Sequence, residues 1–167
     1  MARNKLPTLA ICGHGRCGKD TVSVWLAEHT RLRYSKSTSE ASAMLCYEQL
    51  KDKYGYANVQ DAFADRHNHR REWAKCIWQY NQPDGLTLYR DMADSTDIFN
   101  GTRRVAELTA CIAAGIVDLS IWIDRYVPID PSCELAMQDC DIVIQNHTTL
   151  PALYVKLANF SRALNRF

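Results

Sequence analysis

A short apolar run, Thr8-Leu9-Ala10-Ile11-Cys12, leads directly into GHGRCGKDTV, residues 13–22. No other feature restricts the fold of this chain as strongly. Gly13, Gly15 and Gly18 permit a tight turn in which backbone amides face inward. Val22, Trp25 and Leu26 follow at helical spacing, so the turn opens a helix over residues 19–29. A buried strand that passes through a glycine-rich turn into a helix is the start of a βα unit. Such units bury both faces of the sheet and call for further parallel strands.

The remaining chain supplies them. Apolar stretches at 6–12, 32–37, 97–101, 117–123 and 141–144 read as five strands. Helical patterns occupy 40–54, with Thr38 or Ser39 as cap and Gly55 as stop. Further helical patterns fall within 58–80, 86–93 and 102–114, the last closed by Gly115. A final helix runs from Thr148 or Thr149 to Arg166 with Pro151 in its first turn. Its stripe is Leu150, Leu153, Tyr154, Leu157, Phe160 and Leu164. The expectation is one α/β domain over residues 1–167, with three layers, a mainly parallel five-stranded sheet and ligands at the carboxyl ends of the strands.

Bulk properties narrow the classes. The net charge is +1, so no global basic field marks a nucleic-acid-binding protein, although a local groove remains open. Seven scattered cysteines without a C-x-x-C read as reduced thiols in the cytoplasm. The first seven residues precede too short an apolar stretch for a signal peptide. Asp118 interrupts the longest apolar region, 108–123, which argues against a membrane span.

The spacing Gly13-x4-Gly18-Lys19 is that of a phosphate-binding loop. Its amides and the positive end of the following helix favour an anion, and Lys19 reaches the terminal phosphates of a triphosphate. The nucleotide contacts expected are Gly13, His14, Gly15, Arg16, Cys17, Gly18, Lys19, Asp20 and Thr21. Asp20 stands where this loop ordinarily has Ser or Thr. It either binds Mg²⁺, holds a metal-bound water, leaves the metal to Thr21, or serves only the helix dipole. Asp124, closing the strand VDLSIWID, is the second metal-binding acid, or else a strand-end turn residue. The 97–101 strand ends in Asn100-Gly101, without an acid.

Two stretches read as the acceptor side. In DRHNHRRE, 65–72, Asp65 is the candidate general base, and Arg66, Arg70 or Arg71 bind acceptor phosphate. The alternative is a solvated helix face. In NGTRRVAE, 100–107, Arg103 is placed on the transferring phosphoryl group or the acceptor, with Arg104 beside it. Glu107 would orient Arg103 across one helical turn. Residues 125–139 hold one arginine and two prolines, which is a stub in place of an arginine-rich lid.

Together GHGRCGKDT, DIFNGTRR, VDLSIWID and CDIVIQNHTTLPAL resemble bacteriophage P-loop kinases of the deoxynucleoside monophosphate kinase type. Small size, the DRHNHRREW stretch and the reduced lid are similar to the branch that phosphorylates 5-hydroxymethyluracil in phage DNA, a step towards hypermodification that evades restriction. The resemblance implies a P-loop kinase fold, ATP and Mg²⁺ as cofactors, and modified DNA as partner in the host cytoplasm. A free deoxynucleoside monophosphate is the alternative acceptor. A third possibility is a nucleotide-binding switch without catalysis; it lacks support in the absence of an N-K-x-D guanine reader.

Overall fold

The computed structural model describes residues 6–164. Four parallel strands form one sheet: β1 (Leu9–Cys12), β2 (Ile98–Asn100), β3 (Leu119–Asp124) and β4 (Ile142–Gln145), in the order β2-β1-β3-β4. Eight α-helices are present among the described residues: α1 (Lys19–His29), α2 (Thr38–Ala41), α3 (Ala43–Tyr54), α4 (Val59–Asp65), α5 (Arg70–Tyr80), α6 (Thr87–Ala93), α7 (Val105–Ala113) and α8 (Leu150–Leu164). The expected end of the last helix, Arg166, lies outside the described residues.

The period-2 alternation of the strands sorts the core into two layers. Leu9, Ile11, Ile98, Ile121, Ile123 and Ile144 face α1 and α8, where Val22, Leu26, Leu153, Leu157 and Leu164 meet them. Ala10, Cys12, Phe99 and Trp122 face the opposite layer, with Trp73, Tyr89, Met92 and Leu108 from α5, α6 and α7. β1 is buried on both faces, as a central parallel strand must be. Its register pairs Ile11 with Asn100 and Cys12 with Trp122, so the strands end along one edge. The turn after β1, Gly101 after β2 and the residues after β3 and β4 therefore gather at that edge.

The fifth strand expected at 32–37 is not formed. This segment runs beside β2 only at one point, where the Arg33 carbonyl accepts from the amides of Asp97 (2.8 Å) and Ile98 (3.2 Å). Arg33 is otherwise engaged with Asp97 and the Asp94 carbonyl; Tyr34 packs against the core and its hydroxyl meets Asn100, but Ser35, Lys36 and Ser37 offer nothing apolar to extend the pairing. The helix expected over 40–54 begins earlier. Ser37 caps α2 through a reciprocal box with Glu40, and Ser42 separates α2 from α3. The 58–80 pattern is likewise two helices, divided at residues 66–69.

The β3-to-β4 crossover has no α-helix, only a single 3₁₀ turn, Met137–Asp139. It is nonetheless anchored: Leu135 is buried in the core, and the amides of Glu134 (2.7 Å) and Leu135 (3.3 Å) donate to the Arg103 carbonyl. At the far end of the sheet Asp141 accepts from the Ser120 hydroxyl (2.6 Å) and amide (2.8 Å), which hold its carboxyl below the ordinary range. An acid with a depressed folded-state pKa contributes stability above its unfolded pKa of about 4 and loses it as pH falls through the lower folded value. Asp141→Asn is therefore expected to lower the thermal midpoint at pH 7. The gap to the parent protein should close in strong acid, and melting curves across pH check it.

Candidate functional site

The turn after β1 depends on three positions without side chains. Gly18 has φ +102°, and a Cβ there would stand 2.7 Å from Asn146 Nδ2. A Cβ on Gly13 would press on Cys17 Sγ at 2.7 Å and the Ile123 carbonyl at 2.9 Å. Gly15 is different: its Cβ would meet the Arg70 guanidinium at 2.9 Å. Gly18 occupies the N-cap position of α1 and offers no side chain to its first-turn amides, which point towards the turn. Lys19 folds over the same turn, its Nζ donating to the carbonyls of His14 (2.7 Å) and Gly13 (2.9 Å). Two carbonyls of the turn are thus capped by a cation; the Cys17 amide donates back to the His14 carbonyl (3.4 Å), and the first-turn amides of α1 remain for an anion. Asn146, whose Nδ2 donates to the Cys17 carbonyl (2.9 Å), ties the turn to the end of β4.

Next to the turn, on the β2 side, lies a cavity of about 260 Å³. Arg16, Lys19, Arg66, Arg70 and Arg103 all line it, against one lining carboxylate, Asp20. Trp73, Ala74 and Ile77 of α5 line it on the same helix face as Arg70. The Trp73 indole N–H is buried and has no hydrogen-bond partner among the described residues. The cavity combines cationic and apolar side chains.

Asp20 meets the other oddity of the sequence here. Asn100 Nδ2 donates to Asp20 Oδ1 at 2.7 Å, and the Tyr34 hydroxyl lies 3.3 Å from the same amide nitrogen. The strand end that lacks an acid therefore faces the loop position that has one. Mg²⁺ needs only one or two protein oxygens beside phosphates and water. Asp20 supplies one such oxygen in the cavity lining, whereas Thr21, also expected at the metal, does not line it, and among the described residues no set of three or more His, Cys, Asp or Glu side chains gathers as a metal cage.

Several expected residues are not brought to the cavity. Asp65 accepts from Tyr56 Oη (2.7 Å) and Asn68 Nδ2 (2.6 Å) and pairs with His69 (3.1 Å), on the far side of α4. Hydrogen bonds from Asn68 and Tyr56 also lower its pKa, which weakens it as a proton acceptor. The general base expected at Asp65 thus has no geometry here. Arg104 points away, paired with Glu134 (3.0 Å) and lying over the Trp78 ring. Asp124, expected at the metal, is instead 2.8 Å from His147 Nε2 and does not line the cavity. Glu107 does not orient Arg103: it is buried and accepts from Asn81 Nδ2 (3.1 Å). The reason is that α7 begins only at Val105, so Arg103 precedes the helical turn the pair would need.

Asp130, which sequence reasoning missed, takes that role. It is 4% exposed and accepts from Arg103 (2.6 Å), Arg70 (3.1 Å) and Ser132 Oγ (2.6 Å). Burial alone would raise its pKa, but Ser132 and Arg103 outweigh burial and hold the carboxyl well below the usual range. Arg66 is fixed separately, donating to the Phe63 carbonyl (2.7 Å) with its guanidinium over the Phe63 ring. No known protein family matches the chain, and no curated protein is significantly similar to it.

The two glycines predict different outcomes. Gly18→Ala forces a left-handed residue against Asn146 and is expected to cost about 1–3 kcal/mol in denaturant unfolding. Gly15→Ala has no left-handed backbone to force, but its Cβ meets Arg70 Nη1, the atom held by Asp130 at 3.1 Å. It is expected to cost less stability than Gly18→Ala while weakening whatever anion Arg70 holds, measured by titration calorimetry.

Proposed function

We propose that this chain is a P-loop kinase that moves the γ-phosphoryl group of ATP onto the 5-hydroxymethyl group of a modified pyrimidine in DNA. The observation that carries the reading is the pairing of a glycine-dependent anion turn, capped by Lys19, with an adjacent cavity lined by both cationic and apolar side chains. The cations suit phosphate, and Trp73 with Ile77 suits a base, so the occupant is nucleotide-like. The polymer form of the acceptor is supported by the crossover after β3. In place of an arginine-rich lid it is pinned through Leu135 and Arg103, and none of residues 125–139 lines the cavity.

Phosphoryl transfer has a loose transition state, so positioning and charge stabilisation do most of the catalysis. The alcohol proton leaves late, and no strong base is demanded. Asp20, the one carboxylate lining the cavity, is the group available to take it or to hold the metal. Mg²⁺ when bound neutralises the phosphates. Lys19 sits over the turn where the transferring group would lie, and Arg103 and Arg66 face it from the acceptor side. On the β3 side of the turn, Tyr126 is 85% exposed and its ring is stacked on His147, a flat surface for the base of the donor.

A second reading, transfer to a free deoxynucleoside monophosphate, is favoured by the three arginines that line the acceptor side. Labelled ATP offered with 5-hydroxymethyluracil DNA, unmodified DNA and each deoxynucleoside monophosphate separates the two. Label is expected on the modified DNA; label on the monophosphates alone sinks the DNA reading. Lys19→Ala is expected to cut the rate at least ~10²-fold while the melting curve stays that of a folded protein. Tyr126→Ala is expected to weaken ATP about fivefold or more by calorimetry, through loss of base stacking, with acceptor binding unchanged.

A further inference from the structure

We infer that Asp130 is the positioning residue of the acceptor site: it fixes Arg70 and Arg103 as one unit and joins that unit to the donor turn. The inference rests on the kinase reading for its meaning, though not for its geometry.

One oxygen, Asp130 Oδ2, takes one nitrogen from each arginine, Nη1 of Arg103 at 2.6 Å and Nη1 of Arg70 at 3.1 Å. The second oxygen is occupied by Ser132, through its hydroxyl (2.6 Å) and amide (3.0 Å). The carboxylate is therefore fully engaged and buried, and cannot swing into the cavity. Each arginine commits only part of its planar fork, since a guanidinium carries five N–H donors. The remainder stays in the cavity wall, which both residues line. Unpaired, two guanidinium groups this close would repel and spread. The shared carboxylate is what lets them stand side by side before any anion arrives.

The same residue touches the donor side by a separate bond. The Asp130 amide faces His14 Nδ1 at 3.3 Å, and His14 packs edge-on against Trp122 of β3. The Arg70 guanidinium in turn lies against Gly15. Donor turn, crossover and acceptor arginines thus meet at one buried carboxylate. Its removal should disturb acceptor geometry and spare the triphosphate turn, because the link to His14 is made by the backbone.

The test is Asp130→Asn, with Asp130→Glu as the conservative variant. Arginine side-chain Nε–Hε NMR signals report the positioning without any turnover. In the parent protein Arg70 and Arg103 should give dispersed, slowly exchanging signals; in Asp130→Asn these should collapse towards free arginine. ATP affinity by calorimetry should stay within about twofold. The acceptor KM should rise at least tenfold, with a smaller fall in kcat, and Asp130→Glu should recover part of both. If Asp130→Asn does not fold, Ser132→Ala, which removes the hydroxyl bond to Asp130 and the one accepted from Arg103 (2.8 Å), should show the same changes in weaker form, in Arg70, which Ser132 does not touch, as well as in Arg103. Unchanged arginine signals in a folded variant would overturn the inference. So would equal losses in ATP and acceptor affinity. If the parent protein phosphorylates no acceptor, the kinase reading fails, and the NMR comparison still decides whether Asp130 positions the arginines.

Discussion

The site depends on one exchange of partners at the turn after β1. Lys19 takes up the carbonyls of Gly13 and His14, and the first-turn amides of α1 are left without a side-chain cap. With those acceptors occupied and those donors unoccupied, this end of the turn favours an anion. The arrangement holds only while no side chain stands at Gly13 and Gly18, where a Cβ would come within 2.7 Å of Cys17 and Asn146. Asn146 then fixes the turn to β4, so the rigidity of the sheet is passed to the loop.

The two departures from the usual phosphate-binding pattern explain one another. Asp20 puts an acid where a hydroxyl is common, and Asn100 puts an amide at the strand end where an acid is common. With Asn100 Nδ2 on Asp20 Oδ1 at 2.7 Å, one negative charge and one neutral partner occupy the corner, with their positions reversed. Two acids at that distance would have repelled, and one would have been driven to hold a proton. Seen singly, each residue looks like a loss; together they keep the charge of the corner.

The layered α/β architecture, the turn and the first and last helices were legible because their signals are local: glycines at fixed offsets, helical spacing, an apolar strand. The strand expected at 32–37 failed because an edge strand needs a run of ladder bonds and apolar contacts to pay for its order, and past Tyr34 the segment is Ser-Lys-Ser. Arg66, Arg70 and Arg103 were found by their type and by their place beside strand or helix ends. Asp65 and Arg104 were misplaced by the same reasoning, since a cluster of charges does not say which members turn inward. Asp130 gave no signal at all. It sits between prolines in a segment without periodicity, and its partners are 60 and 27 residues away.

Charge alone does not separate the two acceptors. On the side proposed for the acceptor, leaving aside Arg16, Lys19 and Asp20 of the turn and its helix, Arg66, Arg70 and Arg103 against the buried Asp130 leave two positive charges. A free monophosphate carries about two negative charges near neutral pH. A nucleotide within a DNA strand is flanked by two diester phosphates of one charge each, which matches equally well. What differs is where the charges lie: together on one group, or spread to either side of a sugar and base. Arg70 and Arg103 are bound to a common oxygen, and Arg66, held on Phe63, stands close enough to feel both of their charges. The three guanidinium groups therefore form one cationic cluster, which fits a single dianion as well as two diesters. The proposed preference for a strand rests instead on the crossover, which is pinned to Arg103 through Leu135 and has none of residues 125–139 in the cavity lining.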